Sequence, residues 1–303
     1  MACQSQAVVS TLAGTGNTAS NRALLGIVAE NGYSEALSSD YLIIHIPVPV
    51  TICYEQPLNE RVRLLLRLEF LFGKVRQTAF GESTWDSLSA LQGLFEILGM
   101  SGRNEFRSDF LKELERHAVC LDRLKKSTQV DTELLDTTLQ DIAVTIAGLR
   151  DLNHAALEAL RRHEFLSAVR QRSGVSSGIC QFDLPALHHW LQQDSEVRTR
   201  HLGNWLEPLQ PLQSAIELLL RLIRDSALPR QAVAVSGFFQ QTLDSHSPNQ
   251  LVRVWLPAKG SAFPEISGGR HRFTIRFLEQ PDPNRRASQS SDTIDFWLAC
   301  CVF

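Results

Sequence analysis

An α+β fold is predicted for this chain of 303 residues, because two kinds of hydrophobic pattern follow one another along it. Apolar residues recur at helical spacing between residues 57 and 228, whereas short β-branched and aromatic runs dominate residues 229–303. A run of helices followed by a run of strands is typical of proteins that segregate helices from an antiparallel sheet. The sequence therefore predicts a mainly α-helical bundle domain over residues 47–228, packed with an antiparallel β-sheet domain over residues 229–303.

Residues 1–46 are predicted to form a flexible extension, since small polar residues dominate them and aromatic residues are few. Within them, Gly14, Gly16 and Ala19 match the G-x-G-x-x-A pattern of dinucleotide-binding loops. A Rossmann unit also requires a second parallel strand that ends in an acidic residue, and the following segment YSEALSSD supplies no such strand. A nucleotide-binding enzyme that uses these three residues stays an alternative hypothesis.

A short strand is predicted near residues 48–54, ahead of the helices. Pro47 and Pro49 lack the N–H group that a β-ladder needs, so the better part of the strand is VTICYEQP. We expect this strand to join the C-terminal strands in one antiparallel sheet.

Seven amphipathic helices are predicted next from apolar spacing and capping residues. The first begins near Pro57 and ends near Gly73, and its Arg63 and Arg67 form a basic stripe because i and i+4 side chains are neighbours on a helix. The other six lie in STWDSLSALQGLFEIL, SDFLKELERHAVCLDRLKK, VDTELLDTTLQDIAVTIAGL, ALEALRRHEFLSAVRQRSG, DLPALHHWLQQD and LQSAIELLLRLIRDSA.

Four strands are predicted after Pro229, because short β-branched or aromatic runs alternate there with turn-rich pieces. These runs are AVAVSGFF, LVRVWLP, RFTIRFLE and DTIDFWLACCVF. The segments between them, among them PAKGSAFPEISGG, are rich in Gly, Pro and Ser and are expected to form turns.

The third of these strands lies in GGRHRFTIRFLE, residues 268–279, which is basic although the chain has a net charge of -3. Successive side chains of a strand point to opposite faces. One face would carry Phe273, Ile275 and Phe277, and the other Arg270, Arg272 and Arg276. Such a row of arginines suits an extended peptide that bears carboxylates. The alternatives are a solvated sheet face and a nucleic-acid-binding module that uses this basic face.

No catalytic residue, cofactor or metal ion is predicted, since no nucleophile elbow, P-loop or metal-ligand motif occurs. His188 and His189 are adjacent on a predicted helix and diverge by about 100°, so they do not suit one shared ion. His188 is instead expected in the core or at an interface. The acidic balance disfavours nucleic acid as a partner, and no apolar run approaches the ~20 residues of a membrane span.

Several stretches resemble the ZapD family of Z-ring-associated cell-division proteins. They include YEQPLNERVRLLLRLEFLF, GICQFDLPALHHWL, FPEISGGRHRFTIRF and IDFWLACC, in the family's order. The resemblance implies a helical domain joined to a β-domain, a homodimer, and no enzymatic activity. It also implies a cytoplasmic location at the mid-cell division septum.

The partner that the resemblance implies is the C-terminal tail of the tubulin-like GTPase FtsZ. A dimer that holds two tails would cross-link and bundle FtsZ protofilaments, promoting assembly of the Z-ring. The family's basic tail-binding surface maps onto Arg272 and Arg276, with Arg270 at a usually basic position. Arg63, Arg67 and His188 are added as further candidates for tail binding.

Overall fold

The computed structural model describes residues 51–100, 105–125, 131–175, 178–244, 247–269 and 271–302. The predicted extension over residues 1–46, with Gly14, Gly16 and Ala19, lies outside these ranges. The described residues fall into two compact units, one helical, formed by Arg61–Arg123 and Asp136–Leu222, and one mainly β, which includes β-strands from residue 51 to residue 302. The predicted α+β class is confirmed.

Nine α-helices occur in the described part of the chain. They are α1 (Glu60–Thr78), α2 (Thr84–Met100), α3 (Glu105–Leu124), α4 (Thr132–Arg150), α5 (His154–Arg162), α6 (Glu164–Ser173), α7 (Pro185–Leu191), α8 (Ser195–Leu206) and α9 (Gln210–Arg224), with a 3-10 turn at Glu207–Leu209. Their apolar faces build the core of the helical unit, as the spacing of leucines predicted.

Two predictions about helix boundaries are wrong. The first helix does not end near Gly73 but continues to Thr78, because buried Leu71, Phe72 and Val75 carry its apolar face past the glycine. A glycine inside a helix costs only about 1 kcal/mol relative to alanine, which this packing offsets.

The segment 156–174, predicted as one helix, is two helices that meet at His163. The backbone of His163 leaves the helical region with ψ of 120°, and its ring accepts a hydrogen bond from the Leu166 N–H, which caps α6. Local capping by a side chain therefore ends one helix and begins the next.

Helix α8 was missed altogether because its most buried side chains include a charged one. Arg198 is 5% exposed and donates to the Ser87 hydroxyl at 3.0 Å and to the carbonyl oxygens of Glu82 at 2.6 Å and Leu191 at 3.2 Å. A buried arginine is tolerated only where its N–H groups find acceptors, and a hydrophobic pattern does not show them.

The β unit consists of two antiparallel four-stranded sheets. The strands are β1 (Thr51–Pro57), β2 (Arg230–Ala234), β3 (Phe238–Thr242), β4 (Asn249–Pro257), β5 (Ala262–Gly268), β6 (Arg272–Glu279), β7 (Ser288–Gln289) and β8 (Ile294–Val302). The first sheet has the order β1-β4-β8-β2, and the second has the order β3-β6-β5 with β7 also paired to β6. The early strand pairs with β4, so its predicted membership of the C-terminal β-structure is confirmed.

The prediction of one sheet is wrong, because the run AVAVSGFF divides between the two sheets. Ser236 and Gly237 both have positive φ angles, 51° and 66°, and form a tight turn from β2 into β3. A Cβ atom on Gly237 would lie 2.4 Å from the carbonyl oxygen of Ser290, so only glycine fits. The turn sends the chain from one sheet to the other.

The two sheets enclose a common apolar core. Its buried residues are Ala232, Ala234, Leu243, Val252, Val254, Leu256, Phe273, Ile275, Phe277, Phe296 and Leu298. Phe277 of the second sheet and Phe296 of the first have ring centroids 5.0 Å apart. Interdigitation of two inner faces is the usual packing of a β-sandwich.

Strand β5 lies in PAKGSAFPEISGG, a segment predicted to form turns because it is rich in Gly, Pro and Ser. Gly269 donates its N–H to the Arg272 carbonyl oxygen at 3.0 Å, so these two residues form a hydrogen-bonded pair of the β5–β6 ladder. Along an antiparallel ladder, hydrogen-bonded pairs alternate with pairs whose backbone groups point away from each other. By that alternation, the nitrogen of Pro264 faces away from β6. The proline therefore removes no ladder hydrogen bond, which is why an edge strand accepts it.

Candidate functional site

The two-faced character predicted for residues 272–277 is present in β6. Phe273, Ile275 and Phe277 are 0% exposed, whereas Arg272 and Arg276 are exposed. The apolar face is held in the sandwich core, so the strand backbone that carries the arginines of the opposite face has a fixed position. We call the exposed side of the second sheet the basic face.

The neighbours of the two arginines on the basic face follow from the register of the ladders. Arg276 lies opposite Phe238 on β3 and Glu265 on β5, and Arg272 lies opposite Thr242 on β3. Phe238 is 43% exposed. Cross-strand neighbours of this kind are close enough for their side chains to touch.

The two arginines differ in their partners. Arg276 forms a salt bridge with Glu265, and both side chains are about half exposed. A surface pair of this kind contributes only about 0–1 kcal/mol. Arg272 makes no salt bridge with any described Asp or Glu residue. The basic face therefore carries one cation that is partly neutralised and one that is available to an external anion.

The remaining predicted site residues are distributed as follows. Arg270 lies outside the described residues. Arg63 and Arg67 are one helical turn apart on α1, Arg63 half-buried and Arg67 exposed, in agreement with the predicted stripe. His188 is exposed on α7 beside buried Leu187, so it does not lie in the core, and its expected place at an interface stays a prediction. These three belong to the helical unit, whereas Arg272 and Arg276 belong to the β unit.

Two members of the basic face were missed by sequence reasoning. Phe238 was assigned to a strand without a face, and Glu265 to a turn-rich segment. One signal could have located Glu265. Apolar and polar residues alternate in FPEISG, as they do in a half-buried strand, and this alternation places Glu265 on the exposed face. Its pairing with Arg276 depends on a register that the sequence alone does not show.

A second charged group of the β unit is largely buried. The Glu55 carboxylate on β1 accepts two hydrogen bonds from Arg224, at 2.9 and 2.7 Å, and one from Arg253 at 2.9 Å. Arg253 also lies over the ring of Trp255, with 4.7 Å from its Cζ to the ring centroid. Burial by itself would raise the pKa of Glu55, but the two guanidinium groups outweigh burial and lower it.

The helical unit contains a comparable group around Glu113 on α3. This carboxylate is almost fully buried and pairs with Arg61 of α1 and, at 2.6 Å, with Arg116. The fully buried ring of His117 lies 3.6 Å from it. Burial raises the pKa of Glu113, but the nearby His117 ring, the hydrogen bond from Arg116 and the charges of Arg116 and Arg61 outweigh it and lower the pKa to about 2.

The arginines described so far fall into two groups, according to whether their guanidinium groups have buried carboxylate partners or face solvent. The arginines around Glu55 and Glu113 have internal carboxylate partners, and loss of either carboxylate would leave charges without a partner in a buried site. Those of the basic face present guanidinium groups to solvent, and guanidinium groups bind carboxylates or phosphates in a bidentate manner. In the described ranges, no helix is both long and apolar enough to cross a membrane.

The fold and the basic face define an α+β protein with a surface suited to anionic ligands. A family model described as ZapD, cell division protein, matches residues 66–276. Three similar proteins named cell division protein ZapD extend this match. The one from Methylococcus capsulatus is 38% identical over 251 residues, which cover 83% of this chain and 98% of that protein.

The one from Nitrosomonas europaea is 36% identical over 250 residues, covering 82% of this chain and 95% of the relative. The one from Chromobacterium violaceum is 36% identical over 252 residues, covering 83% and 100%. This chain belongs to the ZapD family of cell division proteins.

Proposed function

We propose that this chain binds the C-terminal tail of FtsZ through the basic face and, as a homodimer in the cytoplasm, cross-links FtsZ protofilaments at the division septum. The observation that carries the proposal is the exposure of Arg272 and Arg276 on a strand whose other face is completely buried. An acidic peptide gains charge-assisted hydrogen bonds there without any rearrangement of the core. Membership of a cell division family supports the choice of partner.

In this proposal, bundling depends on the number of tail sites in one dimer rather than on a high affinity of each site for the tail. A dimer that presents two tail sites holds a second filament at a high effective concentration once the first filament is bound. Weak single sites are then sufficient, and each site exchanges rapidly. The absence of a catalytic requirement in this scheme agrees with the prediction that the chain is not an enzyme, which stays a prediction.

The decisive experiment is co-sedimentation of the purified chain with FtsZ polymers, using full-length and tail-deleted FtsZ. We expect the chain to pellet with the full-length polymer and to increase its light scattering. Removal of the tail should abolish both effects. Equal pelleting with the two polymers would contradict the tail as the ligand.

The dimer is tested separately by sedimentation velocity at several concentrations of the chain alone. A single species near twice the chain mass of 33.9 kDa is expected. A monomer that still bundles FtsZ would require two tail sites on one chain instead. Arg63, Arg67 and His188 of the helical unit stay further candidates for tail contacts.

A further inference from the structure

Strand β3 forms a free edge of the second sheet. The Leu243 N–H donates to the His271 carbonyl oxygen, and the Phe277 N–H donates to the Gly237 carbonyl oxygen, both at 2.8 Å. In an antiparallel ladder, hydrogen-bonded positions alternate with positions whose N–H and C=O groups point to the other side. The backbone groups of Gln240 and Thr242 therefore point away from β6, and no described residue bonds to them.

The opposite edge of the same sheet differs in its chemistry. On β5, the outward-facing positions include Pro264, which has no N–H to donate. The end of β5 is also covered, since a Cβ atom on Gly268 would lie 2.7 Å from Leu58 Cδ2. Prolines and covering residues are common means of protecting a sheet edge from pairing. Strand β3 contains no proline, and the turn from β2 covers only its first position, where the Phe238 N–H donates to the Val235 carbonyl oxygen at 3.1 Å. Its Gln240 and Thr242 side chains are exposed.

We propose that an extended acidic peptide binds by adding a strand to the free edge of β3, beside the two arginines of the basic face. On the proposed function, which this inference assumes, the peptide is the FtsZ tail. Addition of a strand to a sheet edge provides affinity through main-chain hydrogen bonds and selectivity through alternate side chains. The occupant is acidic because Arg272, without a described carboxylate partner, lies one strand away from that edge.

The register of the sheet specifies the side chains that such a peptide needs. An added strand would lie two strand spacings from β6, about 9.6 Å, a span that a carboxylate and a guanidinium side chain cover together. Thr242 is small and lies directly between Arg272 and the added strand. A peptide residue beside Thr242 should therefore be acidic.

The free part of the edge begins after Phe238. The N–H group of Phe238 also points away from β6, but it donates to the Val235 carbonyl oxygen at 3.1 Å, so the turn from β2 occupies this position. An added strand would therefore pair with the outward backbone groups of Gln240 and Thr242, and the register sets one side-chain requirement, an acidic residue beside Thr242.

The test uses a synthetic FtsZ tail peptide and the full chain. Single N-methylation of successive peptide amides should weaken binding with a period of two, by about tenfold at the residues whose N–H groups face β3 and by less than twofold at those between. Only a peptide in a strand produces this alternation. Uniform effects, or a contiguous block of sensitive positions, would overturn the inference while leaving tail binding itself intact.

A pair of variants tests the edge from the side of the protein. Gln240→Pro removes an outward N–H and no ladder hydrogen bond, whereas Gln240→Ala removes only the side chain. We expect about a tenfold loss of peptide affinity for the proline variant and less than a twofold loss for the alanine variant, with cooperative thermal unfolding in both. Equal affinities for the two variants would contradict the inference.

Two further results would overturn the inference in different ways. If Gln240→Pro converts a dimer into a monomer, the edge is occupied by a second copy of this chain, and the peptide inference is wrong. If the tail peptide does not bind the unmodified chain at all, the proposed function fails and the inference fails with it. Binding that persists without the period-two pattern rejects the inference alone.

Discussion

Two groups of arginines in the β unit have opposite environments. Arg224 and Arg253 surround Glu55, and all three side chains are at most 23% exposed. Arg272 and Arg276 stand on the basic face in contact with solvent, and only Arg276 has a described carboxylate partner. An arginine of this unit therefore suits an external anion only where the fold leaves it exposed to solvent.

The difference has an energetic basis. Removing one partner of a buried ion pair leaves an uncompensated charge in a medium of low dielectric constant, whereas an exposed pair is solvated and screened. Changes around Glu55 should therefore affect stability, and changes on the basic face should affect binding. Three experiments separate the two cases, and a fourth extends the comparison to the buried carboxylate Glu113 of the helical unit.

The largest effect is expected from Glu55→Gln. Loss of this carboxylate leaves Arg224 and Arg253 facing each other without an anion, and we expect the free energy of unfolding to fall by about 3 kcal/mol. Urea denaturation at pH 7 measures the change. The matched control is Glu265→Gln, the same substitution at an exposed pair, which should change stability by less than about 1 kcal/mol. Equal losses in the two variants would remove the distinction between the two groups.

A second effect concerns pH and the buried carboxylate of the helical unit. The pKa of Glu113 lies at about 2 instead of its ordinary value of 4.5, so the folded state binds its proton at lower pH than the unfolded state does. Its stabilisation is present above about pH 4.5 and disappears as the pH falls toward about 2. Because its partners Arg61 and Arg116 are partly exposed, we expect this contribution to be about 2 kcal/mol.

Urea unfolding of the wild-type chain and of Glu113→Gln, followed between pH 6 and pH 3, measures that contribution. The variant should be less stable at pH 6 and should lose less of its remaining stability on acidification. Glu115→Gln, an exposed carboxylate on the same helix, is the control and should follow the wild-type profile. If Glu113→Gln also follows that profile, Glu113 is not a stabilising anion.

Charge reversal on the basic face should affect binding instead. For Arg272→Glu we expect affinity for the FtsZ tail peptide to fall about tenfold, or about 1.4 kcal/mol, since a charge-assisted bond becomes a repulsion. Fluorescence anisotropy with a labelled peptide gives the affinity, and the urea midpoint should match the wild type. The wild-type affinity should also weaken as salt is added, because the contact is exposed. Unchanged affinity in Arg272→Glu would reject this residue as a tail contact.

The smallest effect is expected from Glu265→Gln, now measured by binding. Glu265 competes with the acidic peptide for Arg276, so its neutralisation should raise tail affinity about twofold, or about 0.4 kcal/mol. Arg276→Gln serves as the reference, because in that background Glu265→Gln should have no effect. A decrease in affinity would show that Glu265 takes part in peptide binding rather than opposing it.

Much of this architecture could be predicted from the sequence, and the elements that were missed share a physical cause. Helix α1 and strand β6 were predicted because their buried residues repeat with helical or strand periods over many positions. Helix α8 was missed because a buried arginine interrupts its apolar pattern. Strand β5 was missed because Pro264 is compatible with a strand only when its nitrogen faces away from the neighbouring strand, which depends on the ladder.

The sequence by itself determined the α+β class, the family and the two faces of β6, since periodicity and composition are properties of neighbouring residues along one chain. Only the tertiary structure decided that the strands form two sheets, that Glu265 neutralises Arg276, and that β3 has an unpaired edge. Each of these depends on which residue lies opposite which across a ladder, and a shift of one residue would reverse every face. Register is a long-range property, set by packing of the whole core around Phe273, Ile275 and Phe277.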